Sequence, residues 1–389
     1  MSVVSRKKKE CIAKELLATP DVNRTELAKR HGVSRGTVYH IAKKSNAILA
    51  PGQVDSESKL MAQKVLADQH KRLYRESIKQ LAEVRKELMV FREYQDVKNL
   101  IVPQNQEVQA YKGTTQAVPI LVISDWHIDE PVDPETICGL NEFSVAIARD
   151  RVARLTKYAT KIIGILKGES DIEHLVVAAL GDFMSGWIHE ELQTANELTP
   201  VEAVLEVLNM LTGLIQNLLD AGVVRNITMV CCVGNHSRIT QKTFYKLRTK
   251  TSYEWMIYNL LMSHFSAKGE TRVKFQIPTG YFNWVNVCGH NVRCHHGDNL
   301  RYNGGVGGVH IPVKKAIAQW NKGKTADLDL FGHWHTLNWA SDYIINGSLI
   351  GYNTFAEMLK ADYQKAQQAI FLMHSRFDTT ALYPIKLQD

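Results

Sequence analysis

The sequence predicts an α/β fold: a layered β-sandwich domain with flanking helices over residues 118–389, preceded by a small all-α domain over 1–50 and a long helical linker over 51–117. Three observations predict it. Apolar runs at 118–123, 175–180 and 227–233 alternate with helical patterns near 143–167 and 199–219, and late hairpins follow, as in layered α/β domains. Residues 1–50 carry 11 Lys and Arg against 4 Asp and Glu, so the whole net charge of +7 sits there and the remainder is neutral. Between the two lies a charged stretch with an apolar seam.

Length and composition bound the rest. A chain of 389 residues, 45% hydrophobic and 22% charged, suggests two or three domains and excludes wholesale disorder. No apolar run approaches the ~18 residues of a membrane span, so no membrane partner is expected. The basic start, Arg6 to Lys9, lacks the apolar stretch of a secretory signal. Six scattered cysteines without a Cys-x-x-Cys suit a reduced, cytoplasmic chain.

In the N-terminal domain, Thr25 is placed to cap a helix carrying Leu27 and Ala28. Gly32 supplies the positive φ of a tight turn, and Ser34 caps a second helix with Val38 and Ile41 on its inner face. Small Ala28 lets the second helix cross closely. Residues 24–44 thereby resemble the helix-turn-helix of DNA-binding proteins, especially the resolvase-like kind. The resemblance implies a DNA partner, read by Arg35, Thr37, Tyr39, His40, Lys43 and Lys44. A helical hairpin for protein contacts and a merely solvated basic tail are the competing readings.

Pro51-Gly52 breaks the chain. Residues 56–100 then predict one helix, with Leu66, Leu73, Ile78, Leu81, Val84, Leu88 and Phe91 at mostly three- and four-residue spacings. That seam suits either a homodimeric coiled coil or a helix packed on its own chain. Residues 101–117 read as a polar linker. Farther on, Thr199-Pro200-Val201-Glu202 is a capping box with proline at the first helical position. Residues 281–295 predict a hairpin turned at Gly289-His290. More strands are expected before Gly332 and near 343–354 and 369–382.

Metal-ligand residue types follow these strands. Ser124-Asp125-Trp126-His127, Gly181-Asp182, Gly234-Asn235-His236, His295-His296-Gly297-Asp298 and Gly332-His333-Trp334-His335 stand in order. Ligands enter open α/β sheets at strand carboxyl ends. Asp125 and His127, two apart on a segment read as extended, point to one side, as do His333 and His335. Each fragment is weak alone. Together they resemble the calcineurin-like metallophosphoesterases, whose motifs are Asp-x-His, Gly-Asp, Gly-Asn-His, His-Gly and Gly-His-x-His.

The resemblance implies two divalent metal ions. One would be held by Asp125, His127, Asp182 and His335, the other by Asp182, Asn235, His296 and His333, with Asp182 bridging. His296 is chosen over His295 because it directly precedes glycine. His236 would be a catalytic proton donor or charge stabiliser, not a ligand. Oxygen and imidazole donors without thiolate fit Mn²⁺ best, then Fe or Zn. Arg238, Arg301 and His189 are candidates to hold substrate phosphate. Asp129 and Glu130 either support the site from behind its ligands or are merely exposed, exposure being the favoured reading, and the glycine-rich run at 303–308 is read as a phosphate cradle, lid or plain loop.

The second Asp, Arg and Glu of the phosphoprotein phosphatase motifs are missing after Gly181-Asp182 and Gly234-Asn235-His236. With the helix-turn-helix, this favours a two-metal phosphodiesterase acting on DNA, a nuclease. The alternatives are an enzyme on nucleotides or other small phosphoesters, with the helix-turn-helix giving location only, and a DNA-binding regulator on a vestigial phosphoesterase scaffold.

Overall fold

A computed structural model describes residues 6–19, 22–43, 117–168, 170–301, 308–358 and 361–389. The chain divides into two compact units, 1–98 and 99–389. The linker seam from Leu66 to Phe91, Lys44 and most of the glycine-rich run lie outside the described residues.

The first unit contains helix α1 (Arg6–Ala18), helix α2 (Arg24–Arg30) and helical residues 35–43 (α3). Their core is small: Ile12, Leu16, Leu27, Ala28, Val38, Ile41 and Ala42. Asn23, not Thr25, caps α2; its side-chain oxygen accepts the Thr25 N–H at 3.0 Å. Thr25 lies inside the first turn, where its own N–H needs a partner, and the residue two before it supplies one. Gly32 takes the expected positive φ of 58°, and Ser34 Oγ accepts the Thr37 N–H.

The second unit is built on two sheets. In the first, β1 (Ala117–Ile123), β2 (His174–Ala179), β3 (Asn226–Cys231) and β4 (Val273–Gln276) run parallel. The second holds β5 (Asn283–Val287), β6 (His290–Cys294), β7 (Leu328–Phe331), β8 (Asn338–Ala340) and β9 (Tyr343–Ile345), in the order β5-β6-β7-β9-β8. Strands β10 (Gln367–His374) and β11 (Asp378–Lys386) complete the first sheet, antiparallel beside β1. Period-2 alternation decides the layering. Val118, Ile120 and Val122 of β1 face the second sheet with Val285, Val292, Leu328 and Leu330. Leu121 and Ile123 face the other way. There they meet α4 (Val145–Leu166) and, after the short α5 (Leu192–Ala195), α6 (Pro200–Asp220) and α7 (Tyr253–Ala267). Helix α8 (His310–Trp320) covers the outer face of the second sheet through Val313 and Ile317.

Local signals explain the boundaries. Ser144 caps α4, and the Thr199–Glu202 capping box forms in full at α6. The hairpin turns at Cys288-Gly289, one residue earlier than expected, with φ of 53° and 93°. Two consecutive positive φ values suit the right-handed twist of a two-residue hairpin. The strand expected over 343–354 ends at Ile345, because Asn346 turns its side chain onto Ser124 and Gln368 instead. Helix α7 and strand β4 were not anticipated: α7 is weakly amphipathic and β4 only four residues long. No described helix is long and apolar enough to cross a membrane.

Candidate metal centre

The loops after β1, β2, β3, β6 and β7 meet at one edge of the two sheets. Ligand atoms of Asp125, His127 and His335 lie within 4.8 Å of one another, and so do those of Asp182, His296 and His333. The groups adjoin, since the His333 N–H donates to the Asp125 carboxylate at 2.9 Å; within the first group the His335 and Asp125 side chains approach to 3.6 Å. Asn235 Oδ1 lies 3.0 Å from His296 Nε2, which is itself 2.8 Å from Asp182. His335 Nε2 faces His127 Nε2 at 3.2 Å. All seven expected ligands are therefore together.

The backbone there is unusual. Asp125, His127, Asp182, His333 and His335 all have φ between 47° and 71°. Asp125 and His127 are thus left-handed rather than extended, yet they still aim at one point. Non-glycine residues in this region cost energy and cluster at functional sites. Glycines make room. A Cβ on Gly234 would run into the Asp182 carboxylate, and one on Gly332 into Asp125 and Ser124.

Supporting bonds fix each ring. His127 Nδ1 pairs with Ser185 Oγ at 2.8 Å, and His296 Nδ1 donates to the Leu180 carbonyl at 2.9 Å. His295 points elsewhere: it stacks on Phe331 and lies 3.4 Å from Asp329, which holds Arg293. That geometry places His296 at the centre and makes His295 a core residue.

Electrostatics suit cations. Burial pushes the Asp125 carboxyl up to about 7, and nearby Asp182 adds to the rise. Burial would lower His296, but the facing Asp182 carboxylate overrides it and lifts the imidazole to about 10. Burial and neighbouring imidazoles hold His333 down to about 4 and His335 to about 3. Neutral imidazole is the ligating form, which His333 and His335 already have and which His296 reaches by giving up its proton when a cation binds. Two buried carboxylates with Nε2 atoms turned on one another make a donor set that fits divalent cations.

Beside this centre, His236 donates from Nδ1 to the Ser185 carbonyl at 3.2 Å, and its ring sits edge-on to His127 at 4.7 Å. Exposed His189 lies 6.4 Å from the His236 ring. Arg238 is turned onto its own loop, donating to the carbonyls of Asn235, Thr240 and Gln241. Arg301 is exposed.

The reading of Asp129 and Glu130 as exposed is overturned. Asp129 is fully buried and accepts the N–H groups of Ser185 and Gly186. Glu130 is half-buried, bonded to Ser185 Oγ and Asn353. Both carboxylates tie the loop after β2 to the loop after β1, satisfying donors that water cannot reach.

Two further groups escaped sequence reasoning. Glu254 is buried at the start of α7 and accepts from the N–H groups of Phe183 and Gly234 and from Ser237 Oγ, pinning two motif loops. Arg248 forms a two-bond pair with Asp298 at 2.7 and 2.9 Å. Asp298 stood in the His-His-Gly-Asp motif, but its partner is 50 residues away, and only topology joins them. A third group, Cys11, Glu15 and His31, lies among the N-terminal helices. There Glu15 is engaged by Arg30 and His31 and clamps α1 to α2.

Among curated proteins no sequence matches this chain. Solved structures give remote likenesses. Vacuolar protein sorting 29 of Entamoeba histolytica, described as complexed with zinc, is 11% identical, with 69% of this chain and 99% of that one covered and a TM-score of 0.26. A predicted phosphoesterase of Streptococcus pneumoniae is 11% identical over 69% and 98%, with a TM-score of 0.28. A hypothetical protein of Pyrococcus horikoshii is 11% identical over 70% and 89%, with a TM-score of 0.35. Residues 118–363, which hold every residue of the metal centre, match the calcineurin-like phosphoesterase family; the chain belongs to that family of metal-dependent phosphoesterases.

Proposed function

We propose that this chain is a DNA-directed phosphodiesterase, a nuclease, with two divalent ions of which Mn²⁺ fits best. The observation that carries the metal chemistry is the convergence of seven donors, four buried and three half-buried, five of them in left-handed backbone. Asp125, His127, Asp182 and His335 would hold one ion; Asp182, Asn235, His296 and His333 would hold the other. Such a pair activates a water and stabilises charge on the phosphate oxygens. Two carboxylates against two divalent ions leave the site net positive, which favours an anionic ester. The Ser185 carbonyl orients the His236 ring and leaves Nε2 as the atom suited to protonate a leaving oxygen. His189 stands close enough to His236 to join it at a bound ester.

The DNA half of the reading is supported by the N-terminal unit. Arg35, Tyr39, His40 and Lys43 are exposed on α3, while Val38 and Ile41 hold it to the core. Thr37 is half-buried and engaged with Ser34, so it acts as part of the cap. Arg24 and Arg35 flank the Tyr39 ring and hold its phenol below the usual range. That makes one cationic, aromatic surface suited to phosphate and base contact. Tethering such a reader to the hydrolase raises the local concentration of DNA.

The test is a metal-by-substrate panel on the full chain: Mn²⁺, Zn²⁺ and Fe²⁺ against single- and double-stranded DNA, RNA, cyclic nucleotides and an aryl phosphodiester. DNA hydrolysis with Mn²⁺ is the expected result. Hydrolysis of small esters alone would reduce the N-terminal unit to a locating device. No hydrolysis with both ions bound would leave a DNA-binding regulator.

A further inference from the structure

The chain leaves the metal centre through Asn235 and His236 into a loop with a fixed base and an open tip. At the base, the Ile239 N–H donates to the Thr251 carbonyl at 3.0 Å and the Tyr253 N–H to the Ser237 carbonyl at 2.8 Å. The Ser237 and Ser252 hydroxyls meet at 2.7 Å. Both arginines are held within the fold, Arg238 on backbone carbonyls and Arg248 on Asp298.

The tip is the reverse. Residues 241–247 are all exposed. Tyr245 is 90% exposed, Ile239 58%, Leu247 53% and Phe244 47%. From Ser237 to Tyr253 there are five Lys and Arg and no Asp or Glu. Single exposed apolar residues need no explanation, but four large ones on one basic loop do. Flat apolar rings among cations match a ligand with flat apolar faces on a polyanionic backbone. In duplex DNA those faces are stacked away; in an unpaired strand they are open.

We propose that the loop of residues 238–251 is a landing platform for an unpaired DNA strand. Its bases stack on Phe244 and Tyr245, and its phosphates are neutralised by Lys242, Lys246 and Lys250. This rests on the DNA-directed reading above and narrows it to strand ends, gaps or melted segments. The platform adjoins the centre along the chain, because Arg238, which shapes the loop base, follows His236 by two residues and bonds the Asn235 carbonyl.

The experiment uses the full chain in chelator, so that binding is read without cleavage. Fluorescence anisotropy compares a short labelled DNA strand with an abasic strand of equal length, which keeps the phosphates and removes the bases. The wild-type chain should prefer the base-bearing strand by roughly 5- to 150-fold per stacked base. Phe244→Ala with Tyr245→Ala should abolish most of that preference, and Tyr245→Ala alone, at a site almost wholly in water, should reduce it without moving the thermal midpoint. Lys242→Gln with Lys246→Gln should lower the salt slope by about 1.4 and leave the base preference intact. An unchanged preference in the folded ring variants would overturn the platform. So would loss of phosphatidylserine-vesicle binding in those variants with base preference unmoved, which would assign the loop to a membrane surface. Adding Mn²⁺ separates the two claims. Base preference without DNA hydrolysis would sink the nuclease reading alone, whereas hydrolysis with no ring effect would sink the platform alone.

Discussion

In the phosphoesterase domain the decisive polar groups are buried, with Asp125, Asp182 and His296 almost wholly shielded from water and the backbones of Asp125 and Asp182 bent into left-handed turns. In the N-terminal unit Arg35, Tyr39, His40 and Lys43 stand in water on α3, one of three helices that share a core of seven side chains. If the N-terminal unit binds DNA as proposed, the difference follows from two tasks. Holding cations requires charge kept out of water and backbone kept under strain, and only a large packed domain over-determines such geometry. Displaying cations to a polyanion requires only a stiff scaffold, so a small core suffices. Damage should therefore be local and total in the first region, but graded and salt-dependent in the second.

The sharpest break lies at Asp182. Asp182→Asn should lower metal content and remove hydrolysis of every substrate. His236→Ala should keep both ions while losing about 10²–10⁴-fold in rate. Elemental analysis beside turnover on an aryl phosphodiester separates the two. Metal loss in the His236 variant would make it a ligand and undo the assignment.

The N-terminal region should respond differently. Removing residues 1–50 should weaken duplex DNA binding most at low salt, because each lost phosphate contact takes about 0.9 from the salt slope. Turnover on the aryl ester should persist, since every expected ligand lies between Asp125 and His335. If the linker seam pairs two chains, Leu81→Lys with Leu88→Lys should give monomers of lower DNA affinity through lost bivalency. Sedimentation beside anisotropy would read both, and a wild-type monomer at micromolar concentration would remove the dimer.

A smaller effect tests how the strained centre is supported. Arg248→Met leaves Asp298 buried and deprives it of its two-bond partner. Such a change should cost about 3–5 kcal/mol in urea unfolding, whereas the exposed Arg35→Met should cost almost nothing. Equal losses at the two positions would mean that the Arg248 pair carries no structural weight.

These contrasts also show what the sequence displays. Five motifs, three core strands and the Thr199 capping box are local patterns, so they are legible. The left-handed φ at Asp125 and His127 is not, because Asp-Trp-His reads equally well as strand. Asp129 looked like a surface carboxylate until the loop after β2 folded over it. Arg248 and Glu254 carry no motif: Glu254 reaches two motif loops from the first turn of α7, and Arg248 meets Asp298 only in the fold. The loop of residues 238–251 carries no motif either, and its open tip over a fixed base arises only in the fold.

The smallest expected effect concerns a buried titratable group away from the centre. His174 opens β2, at the opposite end of the strand from Asp182, and is 8% exposed. Burial, with some help from Lys274, lowers its imidazole to about 4. The unfolded chain takes up a proton near 6.5, so between the two values the unfolded state binds the proton and the folded state does not. The contribution is present above about 6.5 and is lost as pH falls through about 4. From pH 8 to pH 5 it should amount to about 2 kcal/mol, at 1.36 kcal/mol per pH unit. Protonation of the metal ligands would also weaken the fold in acid, but wild type and His174→Gln share that loss. Urea unfolding of both in chelator at the two pH values isolates the difference. Wild type should lose about 2 kcal/mol more than the variant; identical losses would mean that His174 is protonated in the folded chain, and that acid sensitivity belongs to the metal centre.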